Sequence, residues 1–359
     1  MATPTLRDRD AIVTKEGLIF RVFGYSHPSN AYICDVEYAP ATIFKSANPK
    51  ALRQEGQNVF YKFYEDEGWR FVQDESPQYA VFHQMLHKKV AGVNCCDIVE
   101  IRRPEVKLEK LLKIEPTDEL LTAMTNVLEI TRRHSGLRSE DFGVFGSLLH
   151  GFYHPKFSDI DLTIYGGRNV LTLRKTLQEL YDVHSSMLQN EFGTDELMKS
   201  KIWRFKNFNS KEYAWHQRRK QIYAVFKDKK SGRAIKTEFE SVRDHKEISN
   251  EYDSETKIVH RGWAKILARV IGDSDASFIP STYDIEPLQV LKGKREGQES
   301  KRIVSYMEEF RMQAHKDEIV HVEGNLEEVT TRRGSFYQIA LTYCPRYYEQ
   351  VLKNTQNRS

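Results

Sequence analysis

The chain has 359 residues, enough for two or three domains, and 40% of them are hydrophobic and 29% charged, as in an ordinary water-soluble protein. Its formal net charge of +3 is too small to indicate a nucleic-acid-binding protein by itself. There is no apolar run near the roughly 20 residues that span a bilayer, no apolar signal segment at the N-terminus and no spaced cysteine framework, so we expect a cytoplasmic protein without membrane contact.

The first part of the chain has the pattern of a β-rich module. Residues 18–24 and 31–38 are rich in β-branched and aromatic residues and flank a loop of turn-forming residues, which predicts paired strands. Residues 58–64 form a further strand candidate, and residues 78–90 are predicted to be helical. We therefore predict an N-terminal module over residues 1–104.

The central part, residues 105–254, alternates helices and strands. Its clearest element is a helix over residues 118–135, which Thr117 or Asp118 can cap and which carries an apolar face. A helix is also predicted over residues 170–189. The predicted strands of this part are residues 144–145, 158–165, 222–227 and 235–242. This order predicts a mixed sheet with helices packed against it.

The last part, residues 255–359, again reads as β-rich, because short apolar runs alternate with turns rich in glycine and aspartate. The predicted strands are residues 258–271, 285–291, 302–306, 319–326 and 335–343. The whole chain is thus expected to be an α+β protein, with a central mixed sheet and helices flanked by β-rich N- and C-terminal modules.

The central part carries a glycine-serine turn followed by two spaced aspartates. Gly146 and Ser147 stand where a short strand turns into a helix, so the backbone can approach a phosphate closely. Asp159 and Asp161 are two apart on a predicted strand and share one face, while Ile160 and its alternating neighbours face the core. Paired carboxylates suit Mg²⁺ held jointly with substrate phosphates. This combination is typical of phosphoryl or nucleotidyl transfer.

The stretch from residue 141 to residue 165 resembles the core of the polymerase-β-type nucleotidyltransferase superfamily, with its Gly-Ser turn, spacer and Asp-x-Asp strand. Residues 13–20 and 273–283 extend the resemblance to archaeal proteins described as predicted nucleotidyltransferases. The resemblance implies that Asp159 and Asp161 hold Mg²⁺ or Mn²⁺. It also implies that the Gly-Ser turn holds the phosphates of an NTP such as ATP.

Nucleotidyl transfer with two metal ions also needs a third carboxylate, which in this superfamily lies on a later neighbouring strand. Glu238 and Glu240 share one face of the strand predicted over residues 235–242, and Glu238 is the preferred candidate because it is nearer the strand centre. The alternative is that both glutamates belong to a solvated strand face. His150 and His154 flank the spacer, where either could contact a phosphate, but a mobile surface loop is the favoured expectation.

Basic and aromatic residues alternate over residues 199–220, a pattern that can bind phosphates and stack a base. The candidate nucleotide contacts lie on one helix, namely Lys211, Trp215, Arg218 and Arg219. The alternative is a charged outer helix whose aromatic residues pack inward.

We therefore expect a metal-dependent nucleotidyltransferase that moves NMP from an NTP to an acceptor hydroxyl, with RNA as the candidate acceptor. One alternative is a non-catalytic nucleotide- or RNA-binding protein with a degenerate transferase site. Another is a transferase that modifies a protein or a small molecule, although such enzymes are typically compact and lack modules on both sides.

Overall fold

The structure, a computed structural model, describes residues 4–193, 204–342 and 346–355. Helices and strands are mixed along the chain, which confirms the α+β class. The chain divides into two compact units. The first contains Met1–His83, Lys88–Gln189 and Ala224–Tyr252, and the second contains Gln84–His87, Asn190–Tyr223 and Asp253–Ser359.

The first unit begins with a largely antiparallel sheet. Its strands are β1 (Ala11–Thr14), β2 (Ile19–Val22), β3 (Ala31–Pro40), β4 (Leu52–Glu55), β5 (Asn58–Lys62), β6 (Ala80–His83), β7 (Lys88–Asn94) and β8 (Ile98–Arg102). They follow the order β4-β5-β3-β2-β1-β8, and β7 joins β3 to β6. Helix α1 (Glu67–Asp74) contributes Phe71 and Val72 to the apolar core of this sheet. The predicted pairing of the strands near residues 18–24 and 31–38 is confirmed.

The prediction of a helix over residues 78–90 is wrong. After a short 3-10 turn, β6 and β7 form a hairpin in which Ala80 pairs with Ala91 and His83 with Lys88. The β-branched Val81 and Val90 favour strand pairing, and the register places them opposite each other. Cross-strand packing therefore outweighs the local helical pattern.

The central elements follow, and all of their residues except Asn190 and Tyr223 belong to the same unit. They are α2 (Pro104–Leu112), α3 (Glu119–Ser135), β9 (Phe142–Val144), α4 (Gly146–His150), β10 (Ile160–Tyr165), α5 (Gly167–Tyr181), β11 (Leu188–Asn190), β12 (Tyr223–Lys227) and β13 (Ala234–Val242). Helix α3 begins as predicted, because the Asp118 carboxylate accepts hydrogen bonds from the backbone N–H groups of Leu120 and Leu121. It ends at Gly136, whose φ of +73° is the left-handed conformation that glycine adopts readily.

These strands form a sheet of order β11-β12-β13-β10-β9. Strands β13 and β10 are parallel, and β9 runs antiparallel to β10. Helix α5 ends eight residues before its predicted end at residue 189. Its buried positions stop at Leu180, the next apolar residue Val183 is exposed, and a turn leads into β11.

In the second unit, α6 (Ser210–Lys220) precedes a run of long strands. These are β14 (Lys257–Asp275), β15 (Ser281–Lys292), β16 (Ser300–Ser305), β17 (Ile319–Thr331), β18 (Gly334–Leu341) and β19 (Val351–Asn354). They follow the order β14-β15-β16-β18-β17-β19, and β14 also pairs with β17, so β14 to β18 close into a barrel. The β16–β18 contact is parallel and the other barrel contacts are antiparallel. This connectivity resembles the five-stranded OB-fold barrel.

The barrel interior is an apolar core that includes Ile266, Tyr283, Ile303, Val322 and Leu341. The β-rich character predicted for this part of the chain is therefore confirmed. Across the described residues, no helix has the length and apolar character needed to cross a membrane.

Candidate active site

Asp161 and Glu238 lie side by side on the parallel strands β10 and β13. The register pairs Asp161 with Glu238, and neighbouring strands lie about 4.8 Å apart. Ile160 and Leu162 are fully buried, so the alternation of β10 turns Asp161 to the opposite face, as the sequence predicts. Two carboxylates from distant parts of the chain therefore share one face of the sheet.

Asp159 adds a further negative charge immediately before β10. It is exposed, whereas Asp161 is half-buried. Burial, the largest cause, and the charge of Asp159 together raise the pKa of Asp161 to about 7. Neighbouring carboxylates with little solvent favour protonation unless a cation compensates them. The charges around Asp161 are mostly negative, since Asp159, Glu240 and Glu37 raise its pKa and Lys62 lowers it.

The glycine of the Gly-Ser turn is required by geometry at this point. Gly146 has a φ of +59°, and a Cβ atom there would lie only 2.5 Å from Oδ2 of Asp161. The N–H group of Phe145 donates a hydrogen bond of 3.0 Å to the carbonyl oxygen of Asp161. The turn that starts α4 therefore lies directly against the carboxylate of Asp161. Any residue larger than glycine at position 146 would displace that carboxylate.

Glu240, the other candidate for the third carboxylate, has a different environment. Its side chain is 1% exposed, and its Oε2 accepts a 2.6 Å hydrogen bond from Nη2 of Arg9. Arg9 is equally buried, and Asp8 lies 3.7 Å from its Nε. The carboxylate of Glu240 is thus held in a buried ion pair, whereas Glu238 is half-buried beside Asp161.

Two charged residues of the N-terminal sheet, not predicted from the sequence, also act on this site. The charge of Lys62, at the end of β5, lowers the pKa of Asp161, and that of Glu37 on β3 raises it. The Nζ atom of Lys62 lies 5.9 Å from the ring centroids of both Tyr38 and Tyr64. The sequence does show Lys62 between aromatic residues of a predicted strand. It does not show that this lysine acts on Asp161, which is 99 positions away in the chain.

The prediction of a surface loop at His150 is wrong, because His150 is a buried residue at the end of α4. His150 is 2% exposed and packs edge-on against Tyr38, with 5.2 Å between ring centroids. Burial lowers the pKa of His150. Although burial of Glu37 acts in the opposite direction, His150 and the nearby cations hold the pKa of Glu37 at about 2. His154, in contrast, is exposed.

The residues of α6 that were predicted to contact a nucleotide lie in the second unit, and two of them bind other residues of that unit. Arg218 Nε donates a 2.8 Å hydrogen bond to the carbonyl oxygen of Phe192. Arg219 pairs with Glu318 and lies 4.3 Å from the ring centroid of Trp215. Lys211 is exposed. Lys199 and Lys201, with the rest of residues 194–203, lie outside the described residues.

Three aromatic residues of the same segment pack inward. Phe205 and Phe208 belong to the apolar core of the second unit, and Tyr213 packs against it. Lys220 is fully buried and its Nζ donates a 2.7 Å hydrogen bond to the carbonyl oxygen of Glu309. These contacts agree with the alternative of a charged helix whose aromatic residues face the core.

Oxygen donors on adjacent strands are of the kind that Mg²⁺ and Mn²⁺ prefer. Within the described ranges, however, no three or more acidic, histidine or cysteine side chains form a complete metal site. Magnesium sites commonly complete their coordination with water and substrate phosphates, and the paired carboxylates of Asp161 and Glu238 are two oxygen donors of the kind that such a site uses.

Comparison with known proteins agrees with the sequence resemblance. Residues 124–239 match the model of the nucleotidyltransferase domain, a segment that includes the Gly-Ser turn, both aspartates and Glu238. An uncharacterized protein of Methanocaldococcus jannaschii is 25% identical over 339 residues, which cover 93% of this chain and 94% of that protein. No solved structure matches the chain significantly. The predicted resemblance to nucleotidyltransferases and to an archaeal protein is thus confirmed.

Proposed function

We propose that this chain, whose residues 124–239 match the nucleotidyltransferase domain, moves NMP from an NTP to an acceptor hydroxyl on RNA. The observation that carries the proposal is the pairing of Asp161 with Glu238 on parallel strands. The close approach of Gly146 to Asp161 supports it, because a phosphate cradle and a carboxylate pair then meet at one point.

The reaction assigns a role to each group. The backbone of Gly146 and Ser147 would receive the β- and γ-phosphates, and Asp159, Asp161 and Glu238 would hold Mg²⁺ or Mn²⁺. The bound cation would neutralise the phosphate charge and lower the pKa of the attacking hydroxyl. The acceptor oxygen forms a bond to the α-phosphorus while the bond to the bridging oxygen breaks, and pyrophosphate leaves. Glu238 accepts the hydroxyl proton.

The buried Arg9–Glu240 pair supports a positioning role for Glu240, since it holds the strand that carries Glu238. Lys62 would offset part of the negative charge around Asp161 and the phosphates. We assign phosphate binding in the first unit to these groups rather than to the arginines of α6.

The flanking segments, 1–104 and 255–359, would present the acceptor to the core at 105–254. Barrels that resemble the OB-fold often bind oligonucleotides, which supports RNA by analogy of fold alone. Lys211 and Trp215 remain proposed RNA contacts, because a cation and an aromatic ring on one helix can contact backbone and base. The unbridged Cys34, Cys95 and Cys96 agree with a reducing, cytoplasmic location.

A non-catalytic nucleotide- or RNA-binding protein is the second candidate. One observation favours it: the carboxylates of the described residues form no complete metal site without a substrate. A raised pKa of about 7 at Asp161 would also weaken cation binding near neutral pH. Both candidate functions require nucleotide binding, but only the transferase moves the NMP group to an acceptor.

The test is to incubate the protein with each α-labelled NTP, Mg²⁺ or Mn²⁺, and total cellular RNA or protein. We expect label on RNA in the presence of the metal and none after chelation. Label on protein would redirect the proposal to a protein-modifying transferase. Nucleotide binding without transfer under every condition would support the binding-only candidate.

A further inference from the structure

A basic cleft lies beside α4, at the end of the helix opposite the Gly-Ser turn. Its volume is about 220 Å³, and its lining includes Leu149 and His150 of α4. Four cationic side chains and two carboxylates line the rest, among them Arg102, Lys107 and Lys110. The excess of positive charge in a small concave space favours an anionic ligand.

Lys107 is the partly buried lysine of the cleft, since Lys110 is exposed. It is half-buried on α2, and burial lowers its pKa while the charge of Glu55 acts in the opposite direction. In the described part of the chain its ammonium group forms no ion pair, whereas Arg102 is paired with Glu100 at 3.1 Å. Partial burial of a cation without a close partner is unfavourable, so an anion in the cleft would stabilise Lys107.

His150 of α4 lies between the cleft and the candidate active site. Its Nδ1 lies 3.4 Å from Nη1 of Arg102, which lines the cleft, whereas its Nε2 is on the side of Glu37, which does not. The cleft therefore combines cationic side chains with one ring nitrogen of a buried histidine.

The cleft is connected to the candidate active site through His150. Nε2 of His150 lies 3.8 Å from Oε2 of Glu37, whose charge acts on Asp161. Gly146 and His150 are four residues apart on one helix, which corresponds to about 6 Å along its axis. A ligand in the cleft would thus be a short distance from the Gly-Ser turn.

We propose that this cleft binds a backbone phosphate of the acceptor and so places the acceptor hydroxyl near Asp161 and Glu238. Arg102 supplies a planar guanidinium that suits phosphate oxygens, and Lys107 and Lys110 supply mobile ammonium groups. The assignment of the ligand as the acceptor rests on the proposed function. The existence of an anion site rests on the cleft alone.

The test measures binding of a short, labelled single-stranded RNA to the full chain by fluorescence anisotropy at several salt concentrations. Lys107→Gln is expected to weaken binding about tenfold, and to reduce the slope of log Kd against log salt by about 0.7, as loss of one phosphate contact would. Lys107→Arg should retain most of the affinity. Lys113→Gln is the matched control, because Lys113 follows α2 and pairs with Glu109 at 2.6 Å, outside the cleft.

Two further ligands show whether the cleft binds the phosphate of an RNA backbone or the free phosphate ion. Inorganic phosphate should displace RNA only weakly, and an RNA of the same sequence with uncharged methylphosphonate linkages should bind the wild type and Lys107→Gln equally. Wild-type RNA affinity and salt slope in Lys107→Gln would overturn the proposal. So would tight binding of inorganic phosphate that leaves RNA binding unchanged, since the cleft would then be a site for the free ion.

The two proposals fail separately. If label is never transferred but Lys107→Gln still weakens RNA binding, the transferase function fails and the cleft stands as an RNA site. If label is transferred but Lys107→Gln binds RNA as the wild type does, the cleft proposal fails and the transferase function stands. Binding of an NTP should be unchanged in Lys107→Gln in either case.

Discussion

Nη2 of Arg9 donates a 2.6 Å hydrogen bond to Oε2 of Glu240, and both side chains are almost completely buried. The pair joins the N-terminal segment to β13, the strand that also carries Glu238. The guanidinium carbon of Arg9 lies 5.6 Å from the ring centroid of Phe145, the residue before the Gly-Ser turn. One arginine near the start of the chain thus contacts both sides of the candidate site.

Arg9→Ala should lower the free energy of unfolding by about 3–5 kcal/mol, because it leaves the Glu240 carboxylate buried without its partner. Urea denaturation followed by circular dichroism measures this change. Arg70→Ala is the control, since Arg70 and Asp66 form an exposed helical pair that contributes less than about 1 kcal/mol. Equal losses in the two variants would mean that the Arg9–Glu240 pair does not stabilise the fold.

Substitution of the two glutamates of β13 should have different effects, one on activity and the other on stability. Glu238→Gln should reduce kcat by about 10²–10⁴-fold with little change in stability, because it removes a proton acceptor beside Asp161. Glu240→Gln should chiefly lower stability, since it removes the charged partner of Arg9. Steady-state transfer of labelled NMP and urea denaturation measure the two effects, with the exposed Glu251→Gln as control. Full activity in Glu238→Gln would remove it from the mechanism.

Gly146→Ala should cost both stability and activity. Alanine is strained at a φ of +59°, and its Cβ would lie 2.5 Å from the carboxylate of Asp161 and displace it. Gly136→Ala is a matched control, because its φ is +73° but no atom lies within 4 Å of the added carbon. We expect both variants to lose about 1 kcal/mol or more of stability and only Gly146→Ala to lose transfer. Equal activity in the two variants would contradict the close approach at Asp161.

His216 should make the second unit sensitive to acid. Its Nδ1 bonds to the carbonyl oxygen of Glu212, and its Nε2 accepts a 3.1 Å hydrogen bond from the N–H of Asn354, so the ring is neutral. Burial, the largest cause, lowers its pKa from 6.5 to about 4. The unfolded chain therefore binds the proton first, and stability falls as the pH drops below about 6.5.

The loss attributable to His216 should reach about 1–2 kcal/mol at pH 5. Urea denaturation at pH 7 and pH 5 measures it, and His216→Gln should reduce the difference between the two values. The exposed His260→Gln should leave the difference as in the wild type. An unchanged pH difference in His216→Gln would show that other groups cause the acid sensitivity.

Local patterns were enough to predict the elements that carry the candidate site. The alternation of Ile160, Leu162 and Ile164 indicates a buried strand, and an aspartate before an apolar helical face indicates the start of α3. Both features depend on residues a few positions apart. The same is true of the Gly-Ser turn, whose φ requires glycine.

The surroundings of the site could not be predicted in this way, because they depend on contacts between distant segments. Glu37, Lys62 and His150 meet only after the N-terminal sheet packs against α4 around Tyr38 and Phe152. Nothing local distinguishes Glu240 from Glu238, since the difference is a buried arginine 231 positions away. The hairpin at β6 and β7 likewise depends on pairing that local helical periodicity does not report.

Closure of the barrel in the second unit bears on aggregation. An unpaired strand edge is a template for other chains, and β14 to β18 each have a strand neighbour on both sides in the described structure. Closure requires β14 to pair with β17, more than forty residues later in the chain. Until β17 is synthesised and paired, the 19-residue β14 presents a long exposed edge. A nascent or truncated chain that ends before β17 should therefore be far more prone to self-association than the complete barrel.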